Sequence, residues 1–270
     1  MQAQIRAATS TQMDKFMFSL DSLAVSKSDL CSFASSLQAY QDKVHANGEA
    51  AFEIEIVPSY PDIEYRLARD ISALFGFGFY CVSYQGTFPG FTDWRSIFVK
   101  NLERGSPYFR PVWTCAHELS HLFENFPQLH GPALNALKQL VSDEAWEARR
   151  AIEDDDIGTK MRVAFCGAQP VEIDRSPERQ AYIWNEVMAD CYASMWADAS
   201  FWDGLKRLGT MGKRGQDIEA AIERLHAANS ITPIISYLDR TWYSVENREE
   251  VRALMTRLTA AYLSRPHSTE

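Results

Sequence analysis

The chain has 270 residues, 46% of them hydrophobic, which is enough to bury a sizeable core in one large domain or a domain with an appendage. A formal net charge of −9 repels phosphate backbones and argues against nucleic-acid binding by the chain as a whole. Five cysteines (31, 81, 115, 166 and 191), an odd number with no CxxC spacing, read as reduced thiols and not as a disulfide framework.

In chain order, Met1 to Arg6 is polar and mixed, unlike a secretory signal, and no apolar run reaches the roughly 18 residues of a membrane span. The expectation is a cytoplasmic protein with no membrane partner. Residues 11–45 carry apolar side chains at helical spacing (Phe16, Leu20, Leu23, then Leu30, Phe33, Leu37), and Ala46-Asn47-Gly48 ends them. Phe52 to Val57 alternates apolar and acidic residues as a half-buried strand does. Pro58 and Pro61 punctuate, and residues 62–75 predict a helix that Gly76 ends. Phe77 to Tyr84 and Arg95 to Lys100 are aromatic or β-branched enough for strands, with a turn-rich stretch from Gln85 to Gly90 between them.

The apolar run from Val112 to Phe126 then reads as a helix and contains His117-Glu118-Leu119-Ser120-His121. Residues four apart share one helical face, so His117 and His121 can send both imidazoles to a single point, a pairing that suits Zn²⁺. Glu118, one step round the helix, stands beside that point and not behind it, where a general base is needed to activate a water. A zinc hydrolase needs a third protein ligand and one open position. Asn185 to Trp196 is a second apolar-rich run without Pro or Gly, and it places Glu186 and Asp190 four apart on one face. Glu186 is the candidate third ligand. Asp190 is the candidate acceptor for the remaining N–H of a ligating histidine. Glu144 and Glu147 are nearer in sequence, but neither has an acid four residues on.

HELSH followed by NEVMAD resembles the gluzincin metallopeptidases, whose third ligand is the Glu of an ExxxD on a later helix. More narrowly, the chain is similar to the ImmA/IrrE group of small metallo-endopeptidases. The matching pieces are Arg66 to Ile71, Arg95 to Lys100, Thr114-Cys115-Ala116 leading into HELSH, and Glu186 to Ala193. The resemblance spans roughly residues 63–205. It departs from the family in its 64 residues between His121 and Glu186 (122–185), in Asp for Asn at position 190, and in the ending after the second helix. A metzincin is a poorer fit: Pro127 stands where its third His would be, and His130, past that proline, reads as a loop histidine.

The resemblance implies an α+β, zincin-like core: a small, mostly antiparallel sheet plus metal-site helices, with extra N- and C-terminal helices. The domains expected are a helical segment at 1–50, a metallopeptidase domain at 51–208 with an insertion at about 127–180, and a helical extension at 209–270. It further implies one Zn²⁺ per chain, bound by His117, His121 and Glu186, with Glu118 as general base. The substrate class is a peptide bond in a specific intracellular protein, such as a transcriptional repressor or an antitoxin. Substrate in such enzymes lies along an edge strand, for which Ser96, Ile97, Phe98, Val99 and Lys100 are the candidates. Oxyanion stabilisation needs a further group, and His226, Tyr237 and Tyr243 are available. Tyr192 matches a core aromatic of the family pattern. The acidic run Glu153 to Asp156 would oppose a helix dipole, so it is expected just past its helix or in a loop. Solvation is its plain reading, and a lid or exosite for a basic substrate the sharper one. The alternative for the whole chain is a non-catalytic regulatory protein that retains the zincin fold.

Overall fold

The computed structural model describes residues 55–155, 176–208 and 247–265, apart from positions 58, 61, 85–88, 93–94, 107 and 197–198, together with 216, 217, 220, 223 and 224. The proposed N-terminal helices, His226, Tyr237 and Tyr243 lie outside these residues, as do Cys31 and Cys166 and most of the expected C-terminal extension before residue 247.

Four strands and seven α-helices make up the described chain. The strands are β1 (Glu55–Ile56), β2 (Gly78–Ser83), β3 (Gly90–Thr92) and β4 (Ser96–Lys100). The helices are α1 (Ile63–Leu74), α2 (Pro111–Leu122), α3 (Pro127–Leu140), α4 (Asp143–Asp155), α5 (Pro177–Trp196), α6 (Ala199–Arg207) and α7 (Arg248–Leu263). The fold class is α+β. None of these helices is long and apolar enough to cross a membrane.

Local chemistry sets the ends of α1. The Asp62 carboxylate accepts the Glu64 backbone N–H at 2.9 Å, capping the N-terminus, and Arg104 grips the same carboxylate from outside at 2.8 Å. At the other end Gly76 takes φ 80°, a left-handed conformation that a β-carbon disfavours. The Ser72 hydroxyl then reaches the carbonyls of Phe77 and Gly78, tying the helix to the start of β2.

The sheet runs β1-β2-β4-β3. β2 and β4 are parallel, Gly78 opposite Ser96 through Val82 opposite Lys100, while β1 and β3 flank them antiparallel. The sheet expected to be mostly antiparallel is therefore mixed, with a parallel pair at its centre. Side chains alternate with the two-residue period of a strand. Phe79, Cys81, Ile97 and Val99 face the helices and join the main core, while Tyr80, Val82 and Phe98 bury the opposite face with Tyr84. Burial on both faces explains why β2 and β4 are nearly continuous apolar runs without polar alternation.

This order corrects one expectation. Ser96–Lys100 is not an edge strand: β4 pairs with β2 on one side and β3 on the other. Among the described residues the terminal strands are β1 and β3, and the one beside β4 is β3, Gly90–Thr92, which lacks the apolar length that marks a strand in sequence.

The region expected to be an insertion contributes to the core. Ala133, Leu137, Val141, Ala145 and Trp146 of α3, α4 and their junction belong to the main cluster. His130 sits within α3 and not in a loop, because Pro127 occupies the first helical position, where its missing N–H costs nothing. The acidic run is corrected likewise: α4 extends to Asp155, so its first three acids lie within the helix. α7 also belongs to the core. Tyr262 lies among the rings of Phe75, Phe77, Phe123 and Phe126 at centroid distances of 4.7–5.9 Å.

Candidate metal centre

α2 packs against β3 and β4 and along α5, and the two helices carry all the expected ligands. α2 starts at Pro111, and its inner face is set by Cys115, Ala116, Leu119 and Leu122, each 1% exposed or less. Cys115 lies on that core side, its thiol donating to the Ala68 carbonyl at 3.4 Å, and burial pushes its pKa far up. The thiol therefore faces away from the histidines.

His117, His121 and Glu186 converge. The Nε2 atoms of the two histidines are 3.2 Å apart. Glu186 Oε2 stands 3.4 Å from His117 Nε2, and Oε1 stands 3.3 Å from His121 Nε2. Zinc with bonds of about 2.0–2.1 Å in a tetrahedron separates its ligand atoms by about 3.3–3.4 Å. The Nε2 pair and the Oε1–His121 contact lie close to such edge lengths, and the three side chains are the one group among the described residues with the donors to hold a metal ion. Two imidazole lone pairs 3.2 Å apart repel unless a cation or a proton lies between them.

No family model, curated protein or solved structure matches this chain. What the centre can do is therefore read from its own geometry.

Asp190, one turn after Glu186 on α5, accepts the Nδ1–H of His117 at 2.9 Å. This fixes the tautomer, so that the Nε2 lone pair points at the other donors. Burial alone would depress the His117 pKa, but the charge and hydrogen bond of Asp190, with Glu186 behind them, push it up to about 10. Burial would raise Glu186, yet His121, His117 and Arg149 outweigh it and keep the carboxyl well below its usual range. Glu118 is 7% exposed, and burial raises its pKa in spite of His117 and His121. His121 is also raised, with Glu186 and Glu124 overcoming the effect of burial.

Five contributors have no motif to announce them. Glu124, in the 3₁₀ turn Phe123–Asn125, stands 3.3 Å from His121 Nδ1 and does for that ring what Asp190 does for its neighbour. Trp113 stacks on His117 with ring centroids 5.5 Å apart, and Arg110 covers the indole at 4.4 Å. These three positions lie at helical spacing from a histidine, so spacing alone could have pointed to them. Gly90 and Arg149 carry no such signal. A β-carbon on Gly90 would stand 2.5 Å from Thr114 Cγ2, 2.9 Å from the Phe98 carbonyl and 3.5 Å from Glu118 Cγ, so glycine lets β3 lie directly on the metal-site helix. Arg149 of α4 reaches across to donate to both Glu186 and Asp190. Glu144 and Glu147 are exposed on the same helix and outside the cluster, Glu147 pairing with Arg150. Tyr192 is fully buried, its hydroxyl accepting from Thr259 at 3.1 Å, as suits a core residue.

Proposed function

We propose that the chain is a zinc-dependent endopeptidase with a zincin-like core of the ImmA/IrrE kind. The observation that carries the reading is the convergence of His117, His121 and Glu186 on one point that could admit a metal ion, with Glu118 buried beside them. His117, His121 and Glu186 hold the cation, and two nitrogens with one carboxylate are a donor set that suits zinc with one position open. When bound, the cation supplies Lewis acidity that lowers the pKa of a water toward neutrality and polarises the scissile carbonyl.

The chain's own residues supply the remaining steps. Glu118 takes a proton from the attacking water as its oxygen bonds to the carbonyl carbon. It then passes that proton to the departing amine nitrogen as the C–N bond breaks. Asp190 and Glu124 keep the two imidazoles aimed. Substrate pairs as an extended segment along β3, the terminal strand that Gly90 sets against Glu118, so its scissile bond passes beside the base. The substrate class is a peptide bond in a specific protein such as a repressor or antitoxin, which is the expectation carried by the resemblance.

Glu118→Gln tests the reading. The variant should bind one zinc per chain as the unaltered protein does and lose cleavage of a peptide substrate. A cleaving Glu118→Gln protein would discard the mechanism.

A further inference from the structure

Arg149 holds a place that the zinc reading by itself does not require. It projects from α4, in the long segment between the two metal-site helices, and its side chain is 14% exposed. Its guanidinium spans two carboxylates one helical turn apart on α5. One nitrogen donates to Glu186 Oε2 at 2.5 Å and the other to Asp190 Oδ2 at 3.1 Å. Asp190 uses its other oxygen on His117, and Glu186 has its other oxygen toward His121. The four side chains Arg149, Asp190, His117 and Glu186 thus form a closed ring of polar contacts. A planar fork suits this geometry, because it presents two donors at a fixed separation to the two acceptors, where an ammonium is a compact point charge.

We infer that Arg149 is a positioning residue for the third ligand. By engaging Oε2 it leaves Oε1 as the oxygen that Glu186 offers to a cation, and it keeps the carboxylate from grasping that cation with both oxygens. It also moderates the charge of the site. Glu118, Glu124, Glu186 and Asp190 surround the site with carboxylates, and Arg149 offsets part of that charge. The arginine therefore restrains metal affinity and protects the open position that catalysis needs. This rests on the zinc reading above and adds to it a segment, α4, that the resemblance treats as an insertion.

The experiment compares Arg149→Met and Arg149→Lys with the unaltered full-length chain. It measures zinc affinity by chelator competition, the visible absorption of the cobalt-substituted protein, melting temperature and peptide cleavage. In Arg149→Met, zinc should bind about tenfold tighter, the low end of the range over which outer partners alter metal affinity, while kcat falls. The cobalt absorption should weaken as a further oxygen joins the ion, since added ligands lower the intensity of the tetrahedral spectrum. Arg149→Lys, which keeps the charge and loses the fork, should restore the affinity and leave the weakened cobalt spectrum.

A merely structural arginine would behave otherwise. Zinc binding, melting temperature and activity would all fall together in Arg149→Met, and that outcome overturns the inference. An unchanged affinity and an unchanged cobalt spectrum overturn it too. Failure of the underlying reading is seen separately, in the unaltered chain, as no uptake of zinc or cobalt at all.

Discussion

Asp190 is not one of the three ligands, yet it decides which nitrogen of His117 faces the site. Replacing it with Ala should lower zinc affinity by about 10–100-fold, measured by chelator competition, while Glu118 and the other ligands stay in place. The pH behaviour of the metal-free protein follows from the same contacts. His117 is raised from 6.5 to about 10, so the stability it contributes is complete below 6.5 and is lost as pH climbs toward 10. Glu118 is raised as well and acts in the same direction. Glu186 is depressed from 4.5, so its contribution is present above 4.5 and fades as pH falls below it. The metal-free chain should therefore melt highest between pH 4.5 and 6.5. Melting curves across pH check this, and a maximum above pH 8 would contradict it. Saturating zinc should remove the alkaline decline, because the cation replaces the proton.

At the scale of elements, the most informative contact is that between β3 and α2. Gly90→Ala should cost about 1–3 kcal/mol in chemical denaturation, the usual range for overpacking, because the new methyl group meets Thr114 Cγ2 at 2.5 Å. Thr114→Ser removes that methyl and should recover part of the loss in the double variant. The remainder belongs to the Phe98 carbonyl, which cannot give way without disturbing β4. This contact also shows what a sequence can and cannot disclose. His117, His121, Glu186 and Asp190 are legible because one helical turn fixes residues four apart, whatever the rest of the fold does. β4 is legible as a strand from its apolar run, but its place inside the sheet is not. That depends on the three-residue β3, too short and too plain to carry a pattern of its own. Arg149 is hidden for a related reason. Its reach to α5 depends on the bend at Val141–Ser142 that sets the direction of α4, and no periodicity encodes a direction.

Across the whole molecule, segments far apart in sequence share one core. α7 lies more than fifty residues after α5, yet its Tyr262 packs against Phe123, which follows the second histidine by two positions. Tyr262→Ala should destabilise the protein by about 3 kcal/mol, the typical cost of deleting a buried aromatic ring, with zinc affinity reduced as the end of α2 loosens. Denaturation and chelator competition on the same sample test both effects.

The separation of His121 from Glu186 has a mechanical meaning beyond ligation. A cation gripped by both is a cross-link that closes a loop of 64 intervening residues. On the chain-entropy scale used for such closures it withholds freedom from the unfolded chain worth about 4 kcal/mol. The ion would then serve this protein as a bridge between cysteines serves others, with the opposite vulnerability: reducing agents leave it intact, and chelators cut it.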